Sequence, residues 1–287
     1  MNIRQILLSS YRKIVRKFSG HGLGRRWPFN VLNVAILNSF KSKYAEVGGH
    51  KMILDDQDSL AISLNGIYER QETGFVENEI KPGQTVVDIR AHIGYYSLIF
   101  AKLVGPHGKV YAFEPDPSNF SILQKNIELN SYGNIVAINK AVTEETEIQK
   151  LYLSNGSVGD HKTYDSGEGR EILEIDGVAL DKFLKGVTVD FIKMDIQGAE
   201  GGALKGMTTL IQRSSSIKII TEFWPAAIKK YGMEPVTYLE LLQQLGFKLY
   251  NLNRKSRRLE EVTSNQELLS MYTLENNRYT NVVGVKK

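Results

Sequence analysis

The sequence predicts an α/β fold of the doubly wound kind, a mostly parallel sheet finished by an antiparallel hairpin strand. Three stretches carry that expectation. Residues 85–117 (TVVDIRAHIGYYSLIFAKLVGPHGKVYAFEPDP) read as strand, tight loop, helix, strand and an acid in a turn. Residues 189–206 (VDFIKMDIQGAEGGALKG) repeat the scheme, with a buried apolar run ending at Asp195 before a glycine turn and a helix. Residues 247–252 and 279–285 are apolar runs suited to a closing hairpin. In such sheets ligands bind outside the carboxyl ends of the strands.

In the first stretch Val86 and Val87 are β-formers and the run stops at Asp88. Ile93, Tyr96, Ile99, Phe100 and Leu103 then recur at helical spacing, and Gly105-Pro106 and Gly108 break the helix. Lys109 to Phe113 form a second strand, with Glu114 at its carboxyl end. An acid after each of two adjacent strands suits a nucleoside, the second accepting from ribose hydroxyls. The glycine fingerprint of dinucleotide folds is absent.

The remaining elements follow in order. Residues 1–18 set Ile3, Leu7, Tyr11, Ile14 and Phe18 on one helical face and basic residues on the other. That face either packs on the domain or lies on an anionic membrane surface. Gly20 to Pro28 read as a basic linker and Phe29 to Phe40 as a second helix. Residues 47–68 suggest a small β element, an acidic turn at Asp55, Asp56 and Asp58, and a short helix. The turn lacks the later glycine and glutamate of a calcium loop. Ser118 is the expected N-cap of a helix striped by Phe120, Leu123 and Ile127. Asn134 to Val142 read as a third strand, and residues 148–153 and 172–175 as two more around a polar loop. Residues 217–224 add another strand, with Glu222 near its end, and Pro235 to Leu245 a helix.

The 287 residues carry a net charge of +4, with 42% hydrophobic and 24% charged residues, an ordinary globular composition. There is no cysteine, which removes disulfides and thiolate metal sites. No apolar run reaches bilayer length and no secretory leader is evident, so the expectation is a cytoplasmic protein. The sequence has no base-flipping motif and no strong basic block, so nucleic acid is not an expected partner.

Several motifs together resemble the FkbM family of methyltransferases. That family usually reads Asp-Val-Gly-Ala-Asn-Ile-Gly-Tyr where this chain has DIRAHIGY (88–95), followed by a Phe-Glu-Pro turn, here FEPDP (113–117). GIYERQET (66–73) resembles its Gly-x-Tyr-Glu-x-x-Glu-Thr run, and GDHK (159–162) its Gly-Asp-His-Arg run. MDIQGAE (194–200) resembles Ile-Asp-Val-Glu-Gly-Ala-Glu, with Gln197 in place of the first Glu. The resemblance covers about residues 47–285 behind a helical segment 1–46. It implies a class I Rossmann-like fold with a seven-stranded sheet and S-adenosylmethionine as cofactor. It also implies O-methylation of a hydroxyl, on a sugar of a glycan, glycolipid or related natural product.

Carried onto this chain, the resemblance assigns cofactor contacts to Asp88, Arg90, Gly94, Tyr95, Glu114, Pro115, Asn139 and Ala141. Asp195 is the first candidate base, with Glu222 and His161 as alternatives; no metal is expected. Asp195 also suits a helix cap or a turn clamp. At Arg90, where the family has glycine, the side chain can fill the donor position, swing outward, or pair with the cofactor's carboxylate. Arg90, His92 and Gln197 also support a second reading, a non-catalytic relative that binds a glycan or a partner.

Overall fold

The computed structural model describes residues 42–154, 161–165, 167–253, 256 and 258–287. The basic helix, the linker and the second helix expected before residue 42 lie outside the described residues, as do Gly159 and Asp160. The described residues form two compact units, parted between Tyr68 and Glu69. In the first, β1 (Tyr44–Val47) and β2 (His50–Ile53) make an antiparallel hairpin, followed by α1 (Ile62–Asn65). Asp55 caps the acidic turn by accepting from the Gln57 and Ser59 amides at 3.1 Å.

The second unit holds α2 (Arg70–Glu79), β3 (Thr85–Ile89), α3 (Tyr95–Val104), β4 (Lys109–Phe113), α4 (Pro117–Leu129) and β5 (Ile135–Ile138). Next come β6 (Ala141–Val142), β7 (Ile148–Tyr152), β8 (Ile172–Val178), α5 (Leu180–Phe183) and β9 (Phe191–Met194). The chain continues through α6 (Glu200–Lys205), α7 (Thr208–Arg213), β10 (Ile217–Phe223), α8 (Pro225–Tyr231) and α9 (Pro235–Gln244). It finishes with β11 (Lys248–Asn253), β12 (Arg258–Glu261), α10 (Asn265–Met271) and β13 (Thr280–Lys286).

Eight strands form the main sheet in the order β12-β11-β13-β10-β9-β3-β4-β5. Strands β5, β4, β3, β9 and β10 run parallel, and β13 lies antiparallel between β10 and β11. This is the expected doubly wound order with its antiparallel closing strand. It carries one strand more than expected: β12, exposed along its length, hairpins onto the edge. Its RLEE sequence has no apolar alternation to announce it. The expected run 134–142 is split after Ile138. Ala141 and Val142 instead join a separate sheet, β6-β8-β7.

Strand parity decides what reaches the site. On β9, Ile192 and Met194 face a core built with Leu204, Leu210, Leu239 and Leu242 from the helices of one side. Phe191 faces the other side, against Phe75 of α2 and Phe100 of α3. Each such buried Phe contributes about 2–3 kcal/mol over its exposed state. Asp88 and Ile220 lie beside Lys193 in register, so Asp88, Lys193, Ile220 and Glu222 share the face covered by α2 and α3.

Candidate active site

The loop after β3 is held by its neighbour strand. The amides of Arg90 and Ala91 both donate to the Phe113 carbonyl at 2.8 Å. Arg90 takes φ +70° and His92 φ +55°, both in the left-handed region that favours glycine. The chain therefore keeps a glycine-like turn without glycine at those positions. At Gly94 the backbone φ of +95° favours glycine, and a Cβ would also have to displace the Leu123 Cδ1 methyl, 2.8 Å away.

Glu114, buried at the end of β4, ties the turn to the next one. Its Oε2 accepts from the His92 amide at 2.8 Å and its Oε1 from the Asp116 amide at 3.0 Å. Burial pushes its pKa up to about 7, against the pull of Arg90 and the two amides. Each carboxylate oxygen keeps a further lone pair for a ligand hydroxyl. Asp88 is fully buried and burial raises its pKa; Oδ2 accepts from Ser97 at 2.6 Å, while Oδ1 has no hydrogen-bond partner among the described residues. Asn139 donates to the Glu114 and Pro115 carbonyls at 2.8 and 3.0 Å, fixing the turn beside Ala141. Tyr95 is buried and its hydroxyl lies 3.1 Å from Thr73 Oγ1, so it braces α3 on α2.

Asp116, not Ser118, caps α4: its Oδ1 accepts from the amides of Ser118 and Asn119 at 2.7 and 2.8 Å. Pro117 at the first helical position fixes that geometry. The other oxygen lies 3.3 Å from His161 Nε2. His161 Nδ1 accepts from the Ser154 amide at 2.9 Å, which leaves its hydrogen on Nε2, directed at Asp116. Burial alone would raise the Asp116 pKa, but hydrogen bonds from His161, Asn119 and Ser118 hold it below the usual range. Both His161 nitrogens are thus spent on fastening the loop.

Asp195 follows β9 and Glu222 lies near the end of β10. Between them stands Gln197 at φ +57°, whose Nε2 donates to Asp195 Oδ1 at 2.9 Å and to Glu222 Oε2 at 3.1 Å. A neutral amide bridges two acids where a third carboxylate would repel both. Burial acts to raise the Asp195 pKa, but Lys193, Arg90 and the Gln197 amide bring it below the ordinary value. Burial, with the charges of Asp195 and Glu200, pushes Glu222 well up. The pKa values of these adjacent acids are thereby pushed in opposite directions. Glu200 closes the turn below them, accepting from the amides of Ile196 and Gly198 at 2.9 and 2.8 Å, and burial raises its pKa to about 7.

Arg90 crosses from the β3 loop to this group. Its Nη1 donates to the Asp195 carbonyl and Nη2 to the His161 carbonyl, both at 3.2 Å, and Nη1 lies 3.7 Å from Asp195 Oδ1. Two small cavities border the group. One of about 20 Å³ touches Arg90, Pro115, Ala141, His161 and Thr163. The other, about 10 Å³, touches Glu69, Glu72, Tyr96, Lys193 and Asp195. A wider cleft of about 670 Å³, lined by Lys102, His107, Lys109 and Tyr132, lies at the amino ends of β4 and β5, remote from these acids. Among the described residues no group of three or more acidic or histidine side chains is placed to hold a metal ion.

The structure thus gathers Asp88, Arg90, Glu114, Pro115, Asn139, Ala141, His161, Asp195 and Glu222 at one end of the sheet. Sequence reasoning passed over Lys193, whose signal was a lysine inside the apolar run FIKM, and over the bridging geometry of Gln197.

The sequence matches the Methyltransferase FkbM domain family over residues 88–249. The chain belongs to that family. Among curated proteins it is similar to the tRNA(Phe) (4-demethylwyosine(37)-C(7)) aminocarboxypropyltransferase of Methanocaldococcus jannaschii. The identity is 38% over 76 residues, 26% of this chain and 29% of that protein. It is also similar to the protein-L-isoaspartate O-methyltransferase of Aeropyrum pernix, 38% identical over 58 residues, 20% of this chain and 22% of that one. The chain thus spans less than a third of the length of either relative. A crystal structure of methyltransferase FkbM from Methylobacillus flagellatus aligns at 16% identity and a TM-score of 0.43, covering 88% of this chain and 59% of that one. No helix among the described residues is long and apolar enough to cross a membrane.

Proposed function

We propose that this family member is an S-adenosylmethionine-dependent O-methyltransferase acting on a hydroxyl, in the first instance one on a sugar of a glycan, glycolipid or related natural product. The observation that carries the reading is the placing of Glu114 and Asp195 at the carboxyl ends of strands flanking β3, on either side of its glycine-like turn. The residues fit the cofactor's nucleoside end. Glu114 offers free lone pairs to a ribose, and Thr163 Oγ1, buried without a partner, borders the cavity beside Pro115 and Ala141. When bound, the sulfonium supplies an electrophilic methyl group.

The chain's own task is then to hold the acceptor oxygen in line, exclude water and receive a proton. Asp195 is suited to the last. Oδ1 is held by Gln197, while among the described residues no donor engages Oδ2, and the side chain is 21% exposed. Its lowered pKa keeps it ionised. A weak base suffices because the hydroxyl proton becomes strongly acidic as its oxygen gains a methyl group. Burial and the neighbouring acids favour the protonated form of Glu222, which limits a second negative charge beside Asp195. His161 is a positioning residue, holding its loop against α4. Arg90 must release the Asp195 and His161 carbonyls for the donor to enter.

Calorimetric titration of S-adenosylmethionine, followed by transfer of labelled methyl to a panel of glycosides, tests the reading; binding with transfer lost in Asp195→Asn is the expected result. The second reading, a non-catalytic relative, is favoured by Arg90 lying across the site. It gains if the natural chain binds no donor while Arg90→Gly does.

A further inference from the structure

Lys193 is set in the middle of the parallel core, on β9 between β3 and β10. Its residue exposure is 7%. A buried ammonium without partners is costly and is seldom kept in a core without a task. Among the described residues Lys193 Nζ has no hydrogen bond and no ion pair; it lies over the Tyr96 ring, 4.6 Å from the nitrogen to the centroid. Charge compensation comes at longer range from Asp88 and Asp195. Three donor hydrogens on that ammonium remain to be satisfied.

Lys193 borders the cavity of about 10 Å³ described above, close to the room of a single water or hydroxyl. The other walls mix acceptors, a donor and a ring. Glu72 Oε1 takes a hydrogen bond from Asn281 Nδ2 at 2.9 Å, and Glu69 Oε2 one from the Tyr96 hydroxyl at 3.1 Å. Asp195, whose Oδ1 is held by Gln197, borders the same space. Three carboxyl side chains against one ammonium make the surroundings unfavourable to an anion. Paired donors and acceptors beside an aromatic ring suit an uncharged polyol.

We propose, building on the methyl-transfer reading, that this cavity receives the acceptor hydroxyl and that Lys193 donates to its oxygen beside Asp195. The acceptor is accordingly a neutral sugar, not a uronate or a phosphosugar. Lys193 touches the substrate in this arrangement and fixes its orientation without giving up a proton.

The test uses the full chain saturated with S-adenosylhomocysteine. Affinities are measured by ligand-observed NMR for methyl glucoside, methyl mannoside and methyl galactoside, and for glucuronate and glucose 1-phosphate. At least one neutral glycoside is expected to bind ten-fold or more tightly than either charged sugar. Lys193→Met is expected to weaken it at least ten-fold, and Lys193→Arg to restore part of the loss. A charged sugar binding as well as the neutral ones, no glycoside binding, or unchanged affinity in a folded Lys193→Met would overturn the proposal. If that variant does not fold, by circular dichroism, the natural chain's preference between neutral and charged sugars decides alone. The S-adenosylhomocysteine titration keeps the two failures apart: donor-product binding without sugar discrimination sinks only the acceptor assignment, whereas no such binding sinks the methyl-transfer reading itself.

Discussion

Replacing Arg90 with glycine should move stability and donor affinity in opposite directions. The arginine makes two charge-assisted hydrogen bonds to carbonyls, both at the long distance of 3.2 Å. At the weak end of their range they contribute about 1.5 kcal/mol each, roughly 3 kcal/mol together. Against this stands the left-handed backbone of a non-glycine residue, φ +70°, which costs about 1 kcal/mol. The variant should therefore be less stable by about 2 kcal/mol without ligand, a few degrees in Tm. A donor that must displace the guanidinium loses those same 3 kcal/mol in the natural chain, so the variant should bind S-adenosylmethionine roughly 100- to 200-fold more tightly. Calorimetric titration of both proteins, with thermal unfolding of each, measures both quantities. Equal or weaker binding by Arg90→Gly would refute the reasoning and make the guanidinium a ligand of the cofactor's carboxylate.

Asp195→Asn keeps the shape and the Gln197 contact but removes the charge, and should lower kcat by about 10²- to 10⁴-fold with donor affinity changed little, as single-turnover transfer and titration would show. Donor affinity should rise with pH through about 7 as Glu114 ionises, since a protonated carboxyl gives up an acceptor; titrations at pH 6 and 8 check it. By proton linkage the ligand-free chain should lose stability as pH rises from about 4.5 to about 7, and level off above that. Glu114 and Glu200, both raised to about 7, hold more protons folded than unfolded in that window. Asp116 and Asp195 act oppositely and only in strong acid, their contribution being lost as pH falls through their lowered values. Gly198→Ala should cost about 2–4 kcal/mol by urea unfolding, because its Cβ would sit 2.6 Å from the Ala227 backbone at φ +109°.

The parallel strands were legible because each is a short apolar run closed by an acid or a turn, with helical spacing between. Val86 to Asp88 and Phe191 to Asp195 both read that way. β12 was not legible, since a polar edge hairpin carries no period-two signal. Neither was the end of β5, where Asn139 turns its amide back onto the Glu114 and Pro115 carbonyls and diverts Ala141 into another sheet. Motif spacing picked out the acids that the fold gathers at the carboxyl ends of the strands. It left the direction of Arg90 open, because three courses fit the same residue until the Asp195 and His161 carbonyls are in place. Lys193 escaped notice because burial with no partner is a property of assembled strands.

The position of β13 has a bearing on how the protein is made. Thr280–Lys286 follows both of its neighbours in sequence, yet it occupies an interior place between β10 and β11. During synthesis the exposed rims of both neighbours, including the Ile217–Phe223 segment that carries Glu222, wait for it without a pairing partner. Unpaired rims of apolar strands invite association with other chains. The newborn chain therefore passes through a vulnerable interval in which the five parallel strands can pair but β11 and β12 cannot yet join them, and chaperone dependence should concentrate there.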